Sequence, residues 1–209
     1  RPNTIMADPE ALGLTVPPAA CAVAWASINE HRLIFGTPKR LKRGAIGPSP
    51  GQHRTRCVEL AREDELLRGW LTEPKAGKAK RVAFYLGGRN EDVRWAEDIA
   101  TWLGADWAVC TFAYRGRCGS TGKPSERLSI DDAIEQLHWV RSQFDGAETK
   151  ISLIGRSIGA SLAVLIANEL RHAQPVQNLV LLSPPLSVSA LVARIPVVSA
   201  LLPLLRNRM

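Results

Sequence analysis

Between residue 56 and residue 182, short apolar runs alternate with stretches in which apolar residues recur three and four positions apart. The short runs predict buried strands, and the spaced stretches predict helices that pack one face against a core. Two runs that flank the acidic turn at 62–65 predict a β-hairpin. The predicted segments are, in chain order, the hairpin strands 56–61 and 66–72, strand 81–86, helix 93–103, strand 107–114, helix 129–144, strand 150–154, helix 158–170 and strand 177–182.

This order of segments predicts an α/β fold. Strands that are apolar throughout and separated by helices pair in parallel and are covered on both faces. We therefore expect a mostly parallel sheet, with an N-terminal antiparallel hairpin and helices on both faces. Ser129 is the expected N-cap of helix 129–144, because Asp131 and Asp132 follow it in the first turn.

Both ends of the chain depart from this alternation. Residues 11–28 carry no charge, and three interpretations remain open: a membrane anchor, a signal peptide, or an apolar helix packed on the domain. Residues 186–205 are apolar except for Arg194 but contain two prolines, which predicts amphipathic cap helices over a cleft. Because the sequence starts with Arg1, we expect the natural chain to begin further upstream. The predicted division is an apolar segment 1–30, a basic linker 31–55, a core 56–185 and a cap 186–209.

Composition and charge narrow the class of protein. Of the 209 residues, 45% are apolar and 22% are charged, which excludes a disordered chain, a collagen-like fibre and a multi-span membrane protein. The net charge of +7 equals the seven cations of residues 31–56, a basic arm without Asp or Glu. Because the remainder is neutral, we expect no nucleic-acid partner. The arm and residues 11–28 offer a route to a membrane surface, so the localisation stays open between cytoplasm and membrane.

The residues Gly155-Arg156-Ser157-Ile158-Gly159 form a G-x-S-x-G motif between a predicted strand and a predicted helix. In that context the sharp turn pushes the serine hydroxyl out above the sheet and makes it a nucleophile. The two glycines are expected because strand and helix must approach each other closely there. The N-terminus of the following helix adds a positive dipole where an oxyanion would develop.

With this motif the chain resembles the α/β-hydrolases, in the serine aminopeptidase-like branch that also includes membrane-anchored esterases and thioesterases. The resemblance rests further on the loop 85–92, on the stretch 114–126 and on Leu33-Ile34-Phe35. It implies a serine hydrolase that forms an acyl-serine on a small ester, thioester or amide, with no cofactor and no metal. The implied site comprises Ser157 as nucleophile, the backbone N–H groups of Ile158 and Arg89 as oxyanion hole, Gly155 and Gly159 as the elbow glycines, and Gly87, Gly88, Tyr114 and Arg115 as candidates for the substrate cleft.

The sequence departs from the family in two places. Where the family usually has His-Gly followed by a small residue or Asn, this chain has Gly87-Gly88-Arg89. The oxyanion donor is a backbone N–H, which arginine also provides.

The four cysteines lie far apart with no C-x-x-C pair, so neither a zinc site nor a disulfide framework is predicted.

The rest of a catalytic triad is missing from these residues. In this fold the acid and the histidine follow the serine, yet no Asp or Glu follows Glu169. The only later histidine, His172, is expected at the far end of the helix that starts beside Ser157, about 20 Å away at 1.5 Å per residue. We therefore expect a chain that lacks its C-terminal part and hydrolyses little.

Two other classes of function stay open. One is a non-catalytic protein of the same fold that binds a ligand or a partner through the same cleft. The other is an interaction domain that docks on an anionic membrane through the basic arm. The motif at Ser157 favours the enzyme, and the missing acid and histidine favour the binding protein.

Overall fold

The computed structural model describes residues 51–89, 91, 95–144 and 150–184. The apolar segments 1–30 and 186–209 and nearly all of the basic arm lie outside the described residues, so the predictions made for them stay predictions. Nine helices and strands are present within the described ranges: β1 (His53–Arg62), β2 (Glu65–Pro74), β3 (Arg81–Leu86), α1 (Trp95–Leu103), β4 (Trp107–Phe112), α2 (Glu126–Gln143), β5 (Lys150–Arg156), α3 (Ile158–Glu169) and β6 (Asn178–Leu182).

The six strands form one sheet in the order β1-β2-β4-β3-β5-β6. The hairpin strands β1 and β2 are antiparallel, and β2 pairs antiparallel with β4. The remaining pairs, β4 with β3, β3 with β5 and β5 with β6, are parallel. The predicted fold class is confirmed. Because β3 lies between β4 and β5, the loops that follow these three strands meet at one edge, where open α/β sheets bind their ligands.

Helices cover both faces of the sheet, as predicted. On one face, α2 and α3 pack buried residues such as Leu137 and Ile166 against Phe84 and Leu153 of the central strands. On the other face, α1 packs around Ala100 against the opposite sides of the same strands. The central strands β3 and β5 are therefore buried on both sides, which explains their continuous apolar sequences.

The predicted start of α2 is wrong. The helix begins at Glu126, and its N-cap is Ser125, whose Oγ accepts the Leu128 N–H at 3.3 Å. Ser129, the predicted cap, lies inside the first turn, and its hydroxyl donates to the Ser125 carbonyl at 2.7 Å. The apolar stripe starts only at Ile130, so it misses the polar first turn of this helix.

Most strands also differ from the prediction by one to three residues at one end or both, β1 and β4 among them. β1 begins at His53, so the boundary expected between residues 55 and 56 falls inside this strand, which pairs with β2 as far as the His53–Pro74 pair. The side chains of Arg54 and Arg56 are exposed on it, and charged residues on a solvated strand face hide the strand from an apolar pattern. β4 ends at Phe112, two residues before the predicted end.

Two further properties concern only the described part of the chain. No helix there has both the length and the hydropathy that a membrane crossing requires. Nor do three or more His, Cys, Asp or Glu side chains come together there as a metal site would need. The described cysteines, Cys57, Cys110 and Cys118, are free thiols.

Candidate active site

Ser157 occupies the turn between β5 and α3, in the strand–turn–helix context that the motif requires. Its backbone has φ 53° and ψ −122°, a left-handed conformation that costs a non-glycine residue energy and that clusters at functional sites. The serine side chain makes no capping hydrogen bond to α3 and is half-buried. The hydroxyl is thus presented at the sheet edge instead of serving as a helix cap.

The two glycines of the motif let strand and helix approach each other. A Cβ on Gly155 would lie 2.4 Å from the Gly159 carbonyl oxygen, and a Cβ on Gly159 would lie 2.0 Å from the Leu86 carbonyl oxygen. These neighbours are backbone atoms, which cannot rotate away. The sharp turn at Ser157 therefore requires glycine at both positions.

Backbone hydrogen bonds hold the elbow from both sides. The Ser157 N–H donates to the Leu182 carbonyl at 2.9 Å, which ties the elbow to the end of β6. The Ser157 carbonyl accepts the Ala160 N–H at 2.9 Å. Ile158 is the first residue of α3 and is buried; N–H groups in a first helical turn have no partner within the helix. This geometry is compatible with the predicted role of the Ile158 N–H in an oxyanion hole.

The loop after β3 lies directly against Ser157. β3 and β5 pair in register up to Leu86–Gly155, so their following loops emerge side by side. A Cβ on Gly88 would lie 3.5 Å from the Ser157 Cβ, so the Gly88 backbone contacts the nucleophile candidate. The Gly88 N–H is donated to the Glu91 carboxylate. The oxyanion donor predicted in this loop is the next residue, Arg89, and its role stays a prediction.

Two charged residues of the site, Glu91 and Arg156, were not identified from the sequence. Glu91 follows the loop glycines, and its carboxylate accepts both the Gly88 N–H and an Nη1–H of Arg156. Arg156 is the variable residue that precedes Ser157 in the motif. The only signal was a glutamate in the loop after β3 and an arginine at the end of β5, 65 residues apart, and a pattern of residue types does not reveal such a pairing.

Two tyrosines, Tyr85 and Tyr114, lie beside the loop after β3. The Tyr114 hydroxyl donates to the Gly87 carbonyl at 2.8 Å, and burial raises the pKa of Tyr114, with the charge of Glu91 adding to the effect. Burial likewise raises the pKa of Tyr85, assisted by its hydrogen bond to Glu91. Both phenols therefore stay protonated at neutral pH, so Tyr114 acts as a hydrogen-bond donor there.

A small cavity of about 20 Å³ lies between these tyrosines and the loop, and it also contacts Gly87, Gly88 and Arg117. This volume admits about one water molecule. The predicted cleft residues Gly87, Gly88 and Tyr114 thus share one pocket beside the elbow. Burial lowers the pKa of the Arg117 guanidinium, and the nearby Arg89 lowers it further.

Arg115, the fourth cleft candidate, has another role. Its Nε and Nη2 donate to the two carboxylate oxygens of Asp132 on α2, at 2.7 and 2.8 Å. Asp132 is buried and Arg115 nearly so, and such a bidentate pair has a fixed geometry. The side chain expected in the cleft instead attaches the loop after β4 to α2.

The described histidines do not complete a triad. His172 lies exposed beyond the C-terminal end of α3 and accepts a hydrogen bond from Arg171 at 2.9 Å. His53 is in β1 and His138 is in α2. Within the described ranges, no hydrogen bond joins a histidine to Ser157.

Sequence comparisons place the chain among known proteins. The profile of the family described as serine aminopeptidase, S33, matches residues 77–209. A protein of Mycobacterium tuberculosis described as uncharacterised is 31% identical over 174 residues, which cover 80% of this chain and 60% of the relative. The lysophosphatidylserine lipase ABHD12 of Gallus gallus is 30% identical over 117 residues, or 54% of this chain and 30% of the lipase. The chain therefore spans about 60% of the mycobacterial relative's length.

Solved structures show the same fold. An α/β-hydrolase from Vibrio vulnificus superposes with a TM-score of 0.61 at 22% identity, over 74% of this chain and 56% of the other. The esterase Pf2001 of Pyrococcus furiosus superposes with a TM-score of 0.60 at 25% identity, over 76% of this chain and 62% of the esterase. The six described strands and their helices match this architecture.

Proposed function

The chain belongs to the serine aminopeptidase (S33) family of α/β-hydrolases, and from this premise we propose that it is a serine hydrolase whose nucleophile is Ser157. One observation carries the proposal: Ser157 has a strained left-handed backbone, between two glycines that admit no side chain, at the sheet edge where β3 and β5 end. Strain of this kind persists only where the surrounding structure enforces it.

The proposed reaction is acyl transfer to water. Ser157 Oγ attacks the substrate carbonyl carbon and loses its proton to a base, and the carbonyl oxygen becomes an oxyanion that the N–H groups of Ile158 and Arg89 bind. Collapse of this intermediate expels the alcohol, thiol or amine with a proton and leaves an acyl-serine, which water hydrolyses. Preorganised donors of this kind contribute about 2.7–4 kcal/mol each to the transition state.

The base is the part that these residues do not provide. A serine needs a histidine, and the histidine needs a carboxylate that orients it, yet no Asp or Glu follows Glu169 in the sequence. His172 projects from the opposite end of α3. We therefore expect the 209 residues by themselves to hydrolyse substrates at a rate near background.

Among esters, thioesters and amides, esters are the favoured substrate class. The names of two similar proteins, the Pyrococcus furiosus esterase and the Gallus gallus lipase, both denote ester hydrolysis. The proposed substrate is a small-molecule ester, and the mechanism uses no cofactor.

The test compares Ser157→Ala with Ser161→Ala in the full-length protein. Ser161 lies one turn further along α3, so its variant controls for replacing a serine in this helix. With p-nitrophenyl acetate as substrate, Ser157→Ala should reduce hydrolysis to background and leave the circular dichroism unchanged, whereas Ser161→Ala should keep the wild-type rate. Wild-type turnover by Ser157→Ala would show that this serine is not the nucleophile.

The absence of a base among these residues favours a second candidate, a binding protein of the same fold. A binding protein would retain ligands in the pocket beside Gly88 without converting them. The same assay separates the two candidates, since a full-length protein that is folded but hydrolyses no ester, at any pH from 5 to about 9, would support the binding protein.

A further inference from the structure

Glu91 connects the two loops that build the candidate site. Its carboxylate accepts the backbone N–H of Gly88 through one oxygen and the guanidinium of Arg156 through the other. The Glu91 N–H returns to the Gly88 carbonyl at 3.3 Å, which closes the turn between them. One side chain therefore fixes the shape of the loop after β3 and joins that loop to the elbow.

The pair has the asymmetry of a built contact. The Glu91 side chain is only 8% exposed, whereas that of Arg156 is 47% exposed. A carboxylate that is nearly buried must have its hydrogen bonds satisfied, because an unpaired buried charge is costly. Tyr85 supplies a further hydrogen bond to this carboxylate from β3. Glu91 is thus held by a strand, a turn and the elbow together.

The geometry links this contact to catalysis. Gly88 lies against Ser157, with a Gly88 Cβ placed 3.5 Å from the Ser157 Cβ and 3.4 Å from the Glu91 Oε2. Arg156 precedes Ser157 in the chain. A shift of the Gly88 backbone therefore moves the N–H group of the next residue, Arg89, relative to the serine hydroxyl. Oxyanion donors act only when they are aimed at the place where the negative charge develops.

We propose that Glu91 and Arg156 are a pair of positioning residues. They hold the loop after β3, and with it the Arg89 N–H, at a fixed position relative to Ser157. This inference rests on the proposed function, since it assigns the pair a role in the reaction of Ser157. The role assigned to the pair is one of positioning, because the Glu91 carboxylate binds the Gly88 N–H and the Arg156 guanidinium. Its effect is on the placement of a donor, and misplacement of a catalytic group by about 1 Å costs up to about 100-fold in rate.

The experiment measures kcat and KM of the full-length protein with p-nitrophenyl acetate. Glu91→Ala removes the acceptor for both partners, and Arg156→Met removes the guanidinium. Arg156→Lys keeps a positive charge as the conservative replacement. The control is Glu59→Gln, which removes an exposed ion pair on the hairpin. In that pair, Arg68 Nε donates to Glu59 Oε1 at 3.0 Å.

Positioning predicts a loss confined to kcat. Glu91→Ala and Arg156→Met should each lower kcat by about 10- to 100-fold and change KM by less than about twofold. The double variant should be no slower than the slower single variant, because both remove the same contact. Arg156→Lys should recover part of the rate, and Glu59→Gln should match wild type.

Two contrary outcomes are distinguishable. If wild type shows Ser157-dependent hydrolysis and both variants stay within about twofold of its kcat, the positioning role is wrong and the proposed function stands. If full-length wild type shows no hydrolysis that Ser157→Ala removes, the proposed function fails and the positioning role falls with it. Additive losses in the double variant would also overturn the proposal, because independent contacts add and a shared contact does not.

Discussion

Strands β5 and β6 are neighbours of similar apolar character, and they differ in burial. Leu153 of β5 and Leu179 of β6 are partners in the parallel ladder, so their side chains share a face of the sheet. Leu153 is 0% exposed, whereas Leu179 is 40% exposed. In β5 all five central residues are buried, and in β6 all five residues are exposed. The apolar sequence forms the strand in both cases, and the surrounding elements decide whether it is buried.

The two strands contribute to the site in different ways. β5 places Ser157 on rigid, buried backbone, between β3 and β6 and under α3. β6 contributes to the site through one backbone atom, the Leu182 carbonyl that accepts the Ser157 N–H. Its side chains, including Val180 and Leu181, contribute little burial. We therefore expect substitutions in β5 and at the elbow to destabilise the fold, and substitutions on β6 to be tolerated.

The elbow gives the largest expected effect. In Gly159→Ala the new methyl group would meet the carbonyl oxygens of Leu86 and Gly87 at 2.0 and 2.6 Å, and these backbone atoms cannot rotate away as a side chain can. We expect a loss of unfolding free energy above the ~3 kcal/mol usual for overpacking. Urea unfolding followed by circular dichroism measures it.

The matched control for that substitution is Gly77→Ala. Gly77 has φ +76° and open space around it, so the variant should lose only ~1–2 kcal/mol, from backbone strain. Equal losses in both variants would mean that the close approach of α3 to β3 does not constrain the elbow.

The paired leucines give the second prediction and test the comparison directly. Leu153→Ala removes a fully buried side chain and should cost about 3 kcal/mol, within the 2–5 kcal/mol range of such cavities. Leu179→Ala should cost less than about 1 kcal/mol, because its side chain is already in part hydrated. The same urea titration measures both, and similar losses would show that β6 is as buried as β5 in solution.

The third prediction concerns the side-chain link between the two strands. Asn178 Nδ2 donates to the Ser152 Oγ at 3.0 Å, and Ser152 is buried. Asn178→Ala should cost about 1 kcal/mol, the net value of one hydrogen bond. Adding Ser152→Ala completes a double-mutant cycle, and a coupling energy of zero would show that the link does not stabilise the pairing of β5 and β6.

Much of this architecture could be predicted from the sequence, because the alternation of apolar runs and amphipathic stretches reflects burial. The elbow at Ser157 was predictable because both of its glycines lie only two positions from the serine in the chain. The link from Glu91 to Arg156 was not, since the two residues come together only when β3 and β5 pair. The same holds for Arg115, whose partner Asp132 lies on α2.

The exposure of β6 could not be predicted from its apolar sequence either. Residues 179–182 resemble β3 and β5 in sequence, and within the described part of the chain only the packing around them distinguishes an exposed strand from a buried one. The start of α2 at Glu126 was missed because the apolar stripe of this helix begins only at Ile130, one turn further along the chain.

The central claim is that Ser157 is an activated nucleophile, and covalent labelling tests it most directly. The full-length protein is treated with a fluorophosphonate, digested, and analysed by mass spectrometry for the modified peptide. The account predicts a single adduct on Ser157, absent after Ser157→Ala and retained after Ser161→Ala. Folded full-length protein with no adduct on Ser157, or with an adduct on another serine that persists in Ser157→Ala, would contradict it.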